Sequence, residues 1–442
     1  MQLTLNDTAF SNSLAFTYEK GSKQNTVGIV VGSVIGAVVF LGLVGALVAF
    51  LVLRKRGPAA LKLVEPNYAA VAFAGNMLSF KLTKSDLDHM EAFKQLLLRQ
   101  DLSLAIAMMN ATKVTESDRI AKALCYVFSS AYQTVPLLIA TIQEEVNIAA
   151  KSPGGRETLF RSNSMATKIF TQYAKIVGLK YLWETLARAV AELAALGKEK
   201  DTAPDRDSSS MSIMRLDSFE VDPTRMDDLD ESDLAINQLQ LMLICQKVFT
   251  GIMKSVDAIP QEIREVMRII KKQVGEVYPE STYIGMGGFF FLRFICPAMT
   301  APHVYGLLSH PPNEETQRYL VLLSKALQNL ANNTLPGAKE TYMQKMNDFI
   351  TSNQSKLIHF FDQMVAGEDY NSNNNNNSSS AKGSALAVPK QQEEIATATL
   401  YAHTYKESKA VYANLNDANA KDVSSALASL FADGAPPEQI KP

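Results

Sequence analysis

The sequence predicts an all-α protein: a helical domain with one N-terminal transmembrane helix and disordered tails. From about Leu82 to Val365, apolar residues recur three and four positions apart, and almost no segment alternates as a strand does. An uncharged apolar run occupies residues 27–53, and an Asn/Ser-rich run that cannot bury a core occupies residues 371–384. These three observations give the fold class.

Composition excludes several classes of function. The chain has 442 residues and a formal net charge of -2, so it carries no general signal for binding polyanions, and we expect no nucleic-acid partner. The five histidines show no metal-ligand spacing, and we expect neither a metal nor a cofactor. Three cysteines, Cys125, Cys245 and Cys296, lie in apolar helical patterns and are predicted to be reduced core residues.

Residues 27–53 are predicted to cross a membrane. As a helix the run would be roughly 40 Å long, against a hydrocarbon core of roughly 30 Å. The basic run Arg54–Arg56 follows it, whereas a signal peptide has its basic segment in front. The positive-inside rule then places the following domain in the cytoplasm. We expect a single-pass protein of the plasma membrane.

The predicted organisation has six parts. They are a short extracytoplasmic stub (1–26), the transmembrane helix (27–53), a juxtamembrane linker (54–84), a helical domain (85–366), a disordered linker (367–390) and a tail with weak helical tendency (391–442). A polar interruption at 197–212 is interpreted as a surface insertion, because the helical pattern resumes beyond it.

The stretch "ETLFRSNSMATK", residues 157–168, contains an unexplained arginine. Its Ser-Asn-Ser run can cap a helix, and apolar residues at helical spacing follow. A helix is therefore predicted to begin just after Arg161. A cation at that end opposes the helix dipole by a few tenths of a kcal/mol, roughly, so helix stability does not account for it. Taken alone, a solvated loop arginine remains the common alternative.

Two further stretches carry candidate functional residues. In "GMGGFFFLRFICPAMTAP", residues 285–302, Arg293 sits within a dense apolar run, so its guanidinium must either reach water or donate to specific acceptors. In "LVLLSKALQNLANN", Lys325, Gln328 and Asn332 fall on one helical face. Taken alone, such a face is most often simply solvated.

Together these stretches resemble the GTPase-activating domain of the Ras GAP family, and in particular its neurofibromin branch. "TLFRSNSMATK" resembles the arginine-finger loop of that family, "FLRFICPA" (291–298) its signature, and "SFEVDPTR" (218–225) a connecting segment of the neurofibromin branch. The motifs stand in the family's order, and the resemblance covers roughly residues 85–366. It implies a helical fold with a shallow groove that receives GTP-bound Ras.

The resemblance implies a role for each matching residue. Arg161 takes the position of the arginine finger, which enters the partner's active site in trans, and Arg293 that of the arginine which hydrogen-bonds the finger loop. The predicted partner-binding residues are Phe160, Asn163, Lys325 and Asn332. The protein would thus activate an enzyme rather than be one, and would switch off Ras signalling by accelerating GTP hydrolysis.

Two rival functions remain open at this point. One is activation of Rap-type GTPases, as in the cytoplasmic regions of plexin receptors, which also follow a membrane span. The other is a scaffold of the same fold that binds GTP-loaded GTPases without hydrolysis; its members lack the finger arginine, so Arg161 and Arg293 argue against it.

The C-terminal region contains one candidate modification site. In "VYANL", Asn414 stands two residues after Tyr412, the spacing that adaptor SH2 domains prefer once the tyrosine is phosphorylated. An SH2 adaptor is therefore a possible further partner, on the premise that this region is a disordered tail.

Overall fold

The structure is a computed structural model that describes most of the chain beyond residue 62. The described ranges are 63–75, 79–155, 159–160, 163–201, 220–225, 231–366, 385–417, 420–433 and 436–440. The predicted stub and transmembrane run, most of the polar insertion at 197–212, and Arg161 itself lie outside the described residues.

Helices make up most of the described chain. In order they are α1 Tyr68–Ala72, α2 Lys84–Leu97, α3 Ser103–Ala111, α4 Ser117–Ser130, α5 Thr134–Lys151, α6 Met165–Asp201, α7 Glu231–Lys254, α8 Gln261–Val277, α9 Thr282–Phe290, α10 Cys296–Thr300, α11 Glu314–Ala331, α12 Asn347–Val365, α13 Lys390–Lys406, α14 Ser408–Asp417 and α15 Lys421–Asp433. A π-helical turn, Phe291–Ile295, joins α9 to α10. Two short strands, β1 Ser79–Lys81 and β2 Glu438–Ile440, pair antiparallel. The predicted helical class is confirmed.

The central part of the fold is a bundle formed by α5 to α12. The long helix α6 packs against α4, α5, α7 and α11, and α8 packs against α5, α9 and α12. Phenylalanines fill the middle: the ring of Phe290 lies 5.6 Å from those of Phe291 and Phe360. The three cysteines are buried free thiols, as predicted. This bundle is the apolar core that the helical periodicity anticipated.

The stretch Pro279–Thr300 is long and apolar enough to cross a membrane, but most of it is buried inside the protein. It includes α9, the π-helical turn and α10, and Phe289, Phe290 and Phe291 within it are fully buried. A helix at the centre of a bundle needs the same composition as a membrane span, because it too is surrounded by apolar side chains. We therefore assign this stretch to the core.

A second group of helices combines the two ends of the described chain. α13 packs on α4, α14 on α3 and α15 on α2, and Phe80 of β1 pairs with Gln439 of β2. The expectation of a tail at 391–442 is therefore wrong. The predicted linker 54–84 is likewise wrong in its second half, which contains α1 and β1.

The predicted disordered linker at 367–390 also ends earlier than expected. Residues 367–384 lie outside the described residues, but Leu386 donates its backbone N–H to the carbonyl of Ile176 on α6 at 3.1 Å. The described chain thus rejoins the bundle at Ala385, before α13 begins.

The premise for an SH2 site at Tyr412 is wrong as well. Tyr412 lies on α14, packs against the core and is partly buried, and that burial raises the pKa of its hydroxyl. The Asn414 amide donates to the carbonyls of Ala410, at 3.0 Å, and Ala107, at 3.4 Å. Both residues of the motif therefore serve helix packing.

The described part of the "SFEVDPTR" segment is fixed to α11 by a partly buried ion pair. Arg318 donates from Nε and Nη2 to the Glu220 carboxylate at 2.7 and 2.8 Å. Burial alone would raise the pKa of Glu220, but the hydrogen bonds and charge of Arg318 outweigh it and hold the pKa below its usual range. This segment thus anchors the chain between the insertion and α7.

Candidate functional site

Phe160, the residue before Arg161, adopts an unusual backbone conformation. Its φ is +55°, in the left-handed region that non-glycine residues enter at a cost of about 1–3 kcal/mol. Its side chain is 2% exposed, and its ring meets that of Phe289 edge-on with 4.8 Å between centroids. The surrounding structure must therefore hold this backbone conformation in place, and we call the turn of the chain at Phe160 the Phe160 corner.

Two charged side chains bind the backbone of Phe160 on both sides. The Phe160 N–H donates to Glu145 Oε1 at 3.2 Å, and Arg293 Nη2 donates to the Phe160 carbonyl at 3.3 Å. Glu145 comes from α5 and Arg293 from the π-helical turn, 133 residues after Phe160. Both hydrogen-bonding groups of the strained residue are thereby satisfied.

The π-helical turn determines where Arg293 points. A π turn holds more residues than an α turn, so the residues after it are rotated around the helix, and such turns recur at functional sites. Phe294 faces α6 so closely that a Cβ at Gly178 would lie 2.5 Å from its ring. The apolar side chains of this segment thus fill the core, while Arg293 reaches the corner at Phe160.

Glu145 and Arg293 influence each other's ionisation. Burial raises the pKa of Glu145, and the Ser164 side chain, the Phe160 N–H and the charge of Arg293 oppose that rise. Burial lowers the pKa of Arg293, and the charge of Glu145 opposes that change. Each side chain therefore favours the charged form of the other.

The loop that contains Arg161 ends at the start of α6. The Thr167 N–H donates to Ser164 Oγ at 3.3 Å, the contact of an N-cap, and α6 begins at Met165. The predicted helix start after Arg161 is confirmed. Asn163, one residue before the cap, is exposed, as a partner-binding side chain must be.

Lys325 and Asn332 lie on α11 and at its C-terminal end. The opposite face of α11 is buried through Leu323, Leu327 and Leu330, so the predicted two-sided helix is present. Lys325 Nζ lies 2.7 Å from Glu340 Oε1 and donates to the Tyr342 hydroxyl at 2.8 Å. The ammonium thus already has partners within the chain.

The C-terminal end of α11 lies against the helix that leads into Arg293. A Cβ at Gly287 on α9 would fall 2.6 Å from the carbonyl oxygen of Ala331, so only glycine allows the two backbones to approach this closely. Asn332 follows Ala331 directly and is partly buried. The structure thereby connects the α11 face to the segment that carries Arg293.

The site lies within a segment that matches a known family. Residues 137–332 match the family model described as RasGAP, GTPase-activator protein for Ras-like GTPase. This segment is therefore similar to RasGAP domains. The match starts within α5 and ends at Asn332, so the RasGAP match includes Glu145, Arg161 and Arg293.

Several curated proteins resemble this chain. A probable Ras GTPase-activating-like protein ngap of Dictyostelium discoideum is 30% identical over 61% of this chain and 28% of its own length. Neurofibromin-A of the same organism is 30% identical over 62% of this chain and 29% of its own. Human Ras GTPase-activating protein 1 is 27% identical over 62% and 24%. The chain thus spans less than a third of the length of these relatives.

One predicted partner-binding residue needs correction. The Phe160 side chain is buried against Phe289 and cannot reach a partner from that position. Its burial secures the backbone at this position instead. Phe160 is therefore an anchor of the loop.

Sequence reasoning missed Glu145. Leu138, Ile142 and Glu145 stand four and three residues apart on α5, and the first two are fully buried. A carboxylate on an otherwise apolar stripe is costly unless it is paired, and this spacing was the available signal. The neighbouring Glu144 is exposed, as the same periodicity predicts.

Proposed function

We propose that this protein accelerates GTP hydrolysis by a GTP-bound Ras-type small GTPase, with Arg161 inserted in trans as an arginine finger. The observation that carries the proposal is the hydrogen bond from Arg293 to the carbonyl of Phe160, the residue directly before Arg161, within a RasGAP domain. That contact braces the chain where a finger would have to project.

The chemistry follows from phosphoryl transfer. Hydrolysis of GTP spreads negative charge over phosphate oxygens, and an arginine introduced into that site stabilises the transition state by about 4–7 kcal/mol, or ~10³–10⁵ in rate. The guanidinium of Arg161 supplies a planar fork of donors that suits several oxygens at once. The GTPase supplies the rest of the site, so this protein acts as an enzyme activator.

The proposed contact surface comprises Asn163, Lys325 and Asn332. Asn163 is exposed two residues after Arg161, and Lys325 presents a cation on the outer face of α11. Because the end of α11 adjoins the helix before Arg293, these residues can serve one partner together with the finger. Binding would then depend on the α11 face and catalysis on the finger.

We further propose that residues 27–53 anchor the protein in the plasma membrane, with the RasGAP domain in the cytoplasm. The support is the uncharged run itself and the basic run Arg54–Arg56 that follows it. Such an anchor would hold the domain on the membrane surface that lipid-anchored Ras also occupies.

Activation of a Rap-type GTPase is the alternative that the predicted membrane span favours, since plexin receptors share that arrangement. Single-turnover GTP hydrolysis, measured for a panel of Ras and Rap proteins at saturating domain, tests both. The proposal requires acceleration of at least one Ras protein that depends on Arg161. Tight binding of GTP-loaded Ras without acceleration would establish a scaffold instead.

A further inference from the structure

We infer that Glu145 is a positioning residue for the arginine finger: its carboxylate holds the Phe160 corner on the side opposite Arg293. This inference rests on the proposed function and adds a residue to its machinery. Glu145 lies 16 positions before Arg161 in the chain, on a different helix from every other member of the site. It does not touch the partner in the proposed mechanism and acts only through the loop.

The first argument is the backbone of Phe160. A left-handed φ of +55° is unfavourable for this residue, and the Phe160 N–H points into the protein toward Glu145 Oε1 at 3.2 Å. Without the carboxylate, that donor would be buried with no acceptor, which favours a different backbone path. Because Phe160 precedes Arg161, a change in its φ redirects the next residue.

The second argument is that Glu145 contacts the loop on both sides of Arg161. Besides the Phe160 N–H, the Ser164 side chain, which caps α6, opposes the rise that burial causes in the pKa of this carboxylate. Phe160 and Ser164 bracket the three residues at the tip, 161–163. A single carboxylate on α5 thus interacts with residues on both sides of Arg161.

The third argument is charge. Arg293 holds the opposite side of Phe160, and its guanidinium is partly buried in an apolar segment. The carboxylate of Glu145 supplies a nearby opposite charge that favours this arrangement. The corner is therefore held between an acid and a base, and loss of either should loosen it.

The chain provides a matched control and a conservative variant. Glu144 is the neighbouring acid on α5 and is exposed, so Glu144→Ala removes the same charge without touching the corner. Glu145→Ala removes both the hydrogen-bond acceptor of the Phe160 N–H and the negative charge near Arg293. Glu145→Gln retains an oxygen that can accept from the Phe160 N–H but carries no charge, so it should restore part of the loss and remains testable if the alanine variant does not fold.

The experiment is single-turnover GTP hydrolysis by Ras at saturating concentrations of the full chain. Since a small misplacement of a catalytic group costs up to about 100-fold, we expect Glu145→Ala to lower the rate roughly 10- to 100-fold, with Glu145→Gln in between and Glu144→Ala unchanged. The dissociation constant for Ras loaded with a nonhydrolysable GTP analogue should stay within about threefold of wild type.

A double-mutant cycle separates positioning from general damage. In an Arg161→Ala background, Glu145→Ala should have little further effect on the rate, because the finger it positions is gone. An equal loss in both backgrounds, or a Glu145→Ala rate equal to that of Glu144→Ala, would overturn the inference. If wild type itself gave no Arg161-dependent acceleration, the proposed function would fail first, and that outcome is distinct from both.

Discussion

Arg293 Nη2 lies 3.3 Å from the carbonyl oxygen of Phe160, and the chain continues from that carbonyl directly into Arg161. One peptide unit therefore separates the bracing contact from the side chain proposed to enter the GTPase. Because Phe160 is also conformationally strained, we expect contacts made by Phe160 to influence where Arg161 is placed.

Replacement of Arg161 should abolish most of the activity without preventing binding. Arg161→Ala removes the guanidinium and with it about 4–7 kcal/mol of transition-state stabilisation, while contacts such as Lys325 remain. Arg161→Lys should also fail badly, since an ammonium does not reproduce the planar fork. Single-turnover GTP hydrolysis at saturating domain measures the effect. A rate for Arg161→Ala within about threefold of wild type would make Arg161 an ordinary loop residue.

Arg293→Ala should act on the same step as Arg161→Ala. Loss of the donor to the Phe160 carbonyl lets the loop move, and we expect hydrolysis to slow by up to about 100-fold. The double variant should be little worse than Arg161→Ala alone, since both act through one group. Arg188→Ala, at an arginine whose side chain is 80% exposed on α6, is the control and should leave the rate unchanged. Additive losses would contradict this coupling.

Lys325→Ala should weaken binding rather than catalysis. A cation that contacts the partner at the α11 face contributes to the ground-state complex, so its loss should cost about 1–3 kcal/mol of binding free energy with little change in the rate at saturation. Calorimetric titration of Ras loaded with a nonhydrolysable GTP analogue gives the dissociation constant. Lys180→Ala, at a solvent-exposed lysine on α6, should bind like wild type. A loss confined to the saturated rate would be inconsistent with this role.

Stability should fall as the pH drops below about 6.5, in part because of His403. The ring is buried between α13 and α4; burial lowers its pKa, and Glu116, with an oxygen 3.7 Å from Nδ1, only partly opposes that shift. Because the folded state binds this proton less readily than the unfolded state, His403 stabilises the fold fully above the unfolded pKa and progressively less below it.

Thermal unfolding at pH 7.5 and pH 5.5 tests this pH dependence. The fall in Tm between the two values should be smaller for His403→Gln than for wild type, whatever the variant costs at pH 7.5. Nearby charges on Glu407, Lys406 and Arg119 remain in both proteins and cancel in the comparison. Equal falls in Tm would show that His403 does not contribute.

Removal of residues 1–56 should matter only at a membrane. A tether that holds the domain beside lipid-anchored Ras can raise its effective concentration toward the millimolar scale, roughly, so weak intrinsic affinity suffices. We expect unchanged activity toward Ras in solution, and lower activity toward Ras on vesicles than that of full-length protein inserted in the same kind of vesicle. Equal loss in both assays would mean that the segment serves the fold and not the location.

The central bundle was predictable because its helices have one apolar and one polar face. The α13 helix was not: its buried residues include Thr397, Thr399 and Thr404 together with alanines, so its sequence lacks the apolar stripe of a packed helix. Small and hydroxyl-bearing side chains permit close approach to α4, which composition alone does not reveal. The left-handed φ of Phe160 was not predictable either, because it is held by contacts with Glu145 and Arg293, which lie far apart from each other in the chain.

The packing of early helices against C-terminal ones has a consequence for how the protein is made. On one side, α2, α3 and α4 pack against α15, α14 and α13, so that side of these early helices cannot be covered until residues 390–433 have been synthesised. Ribosomes add about 5–20 residues per second, which leaves the side of α4 that packs on α13 uncovered for roughly 15–50 s. During that interval a nascent chain depends on chaperones or on the already folded bundle for protection, and a premature stop codon after Val365 would make the exposure permanent.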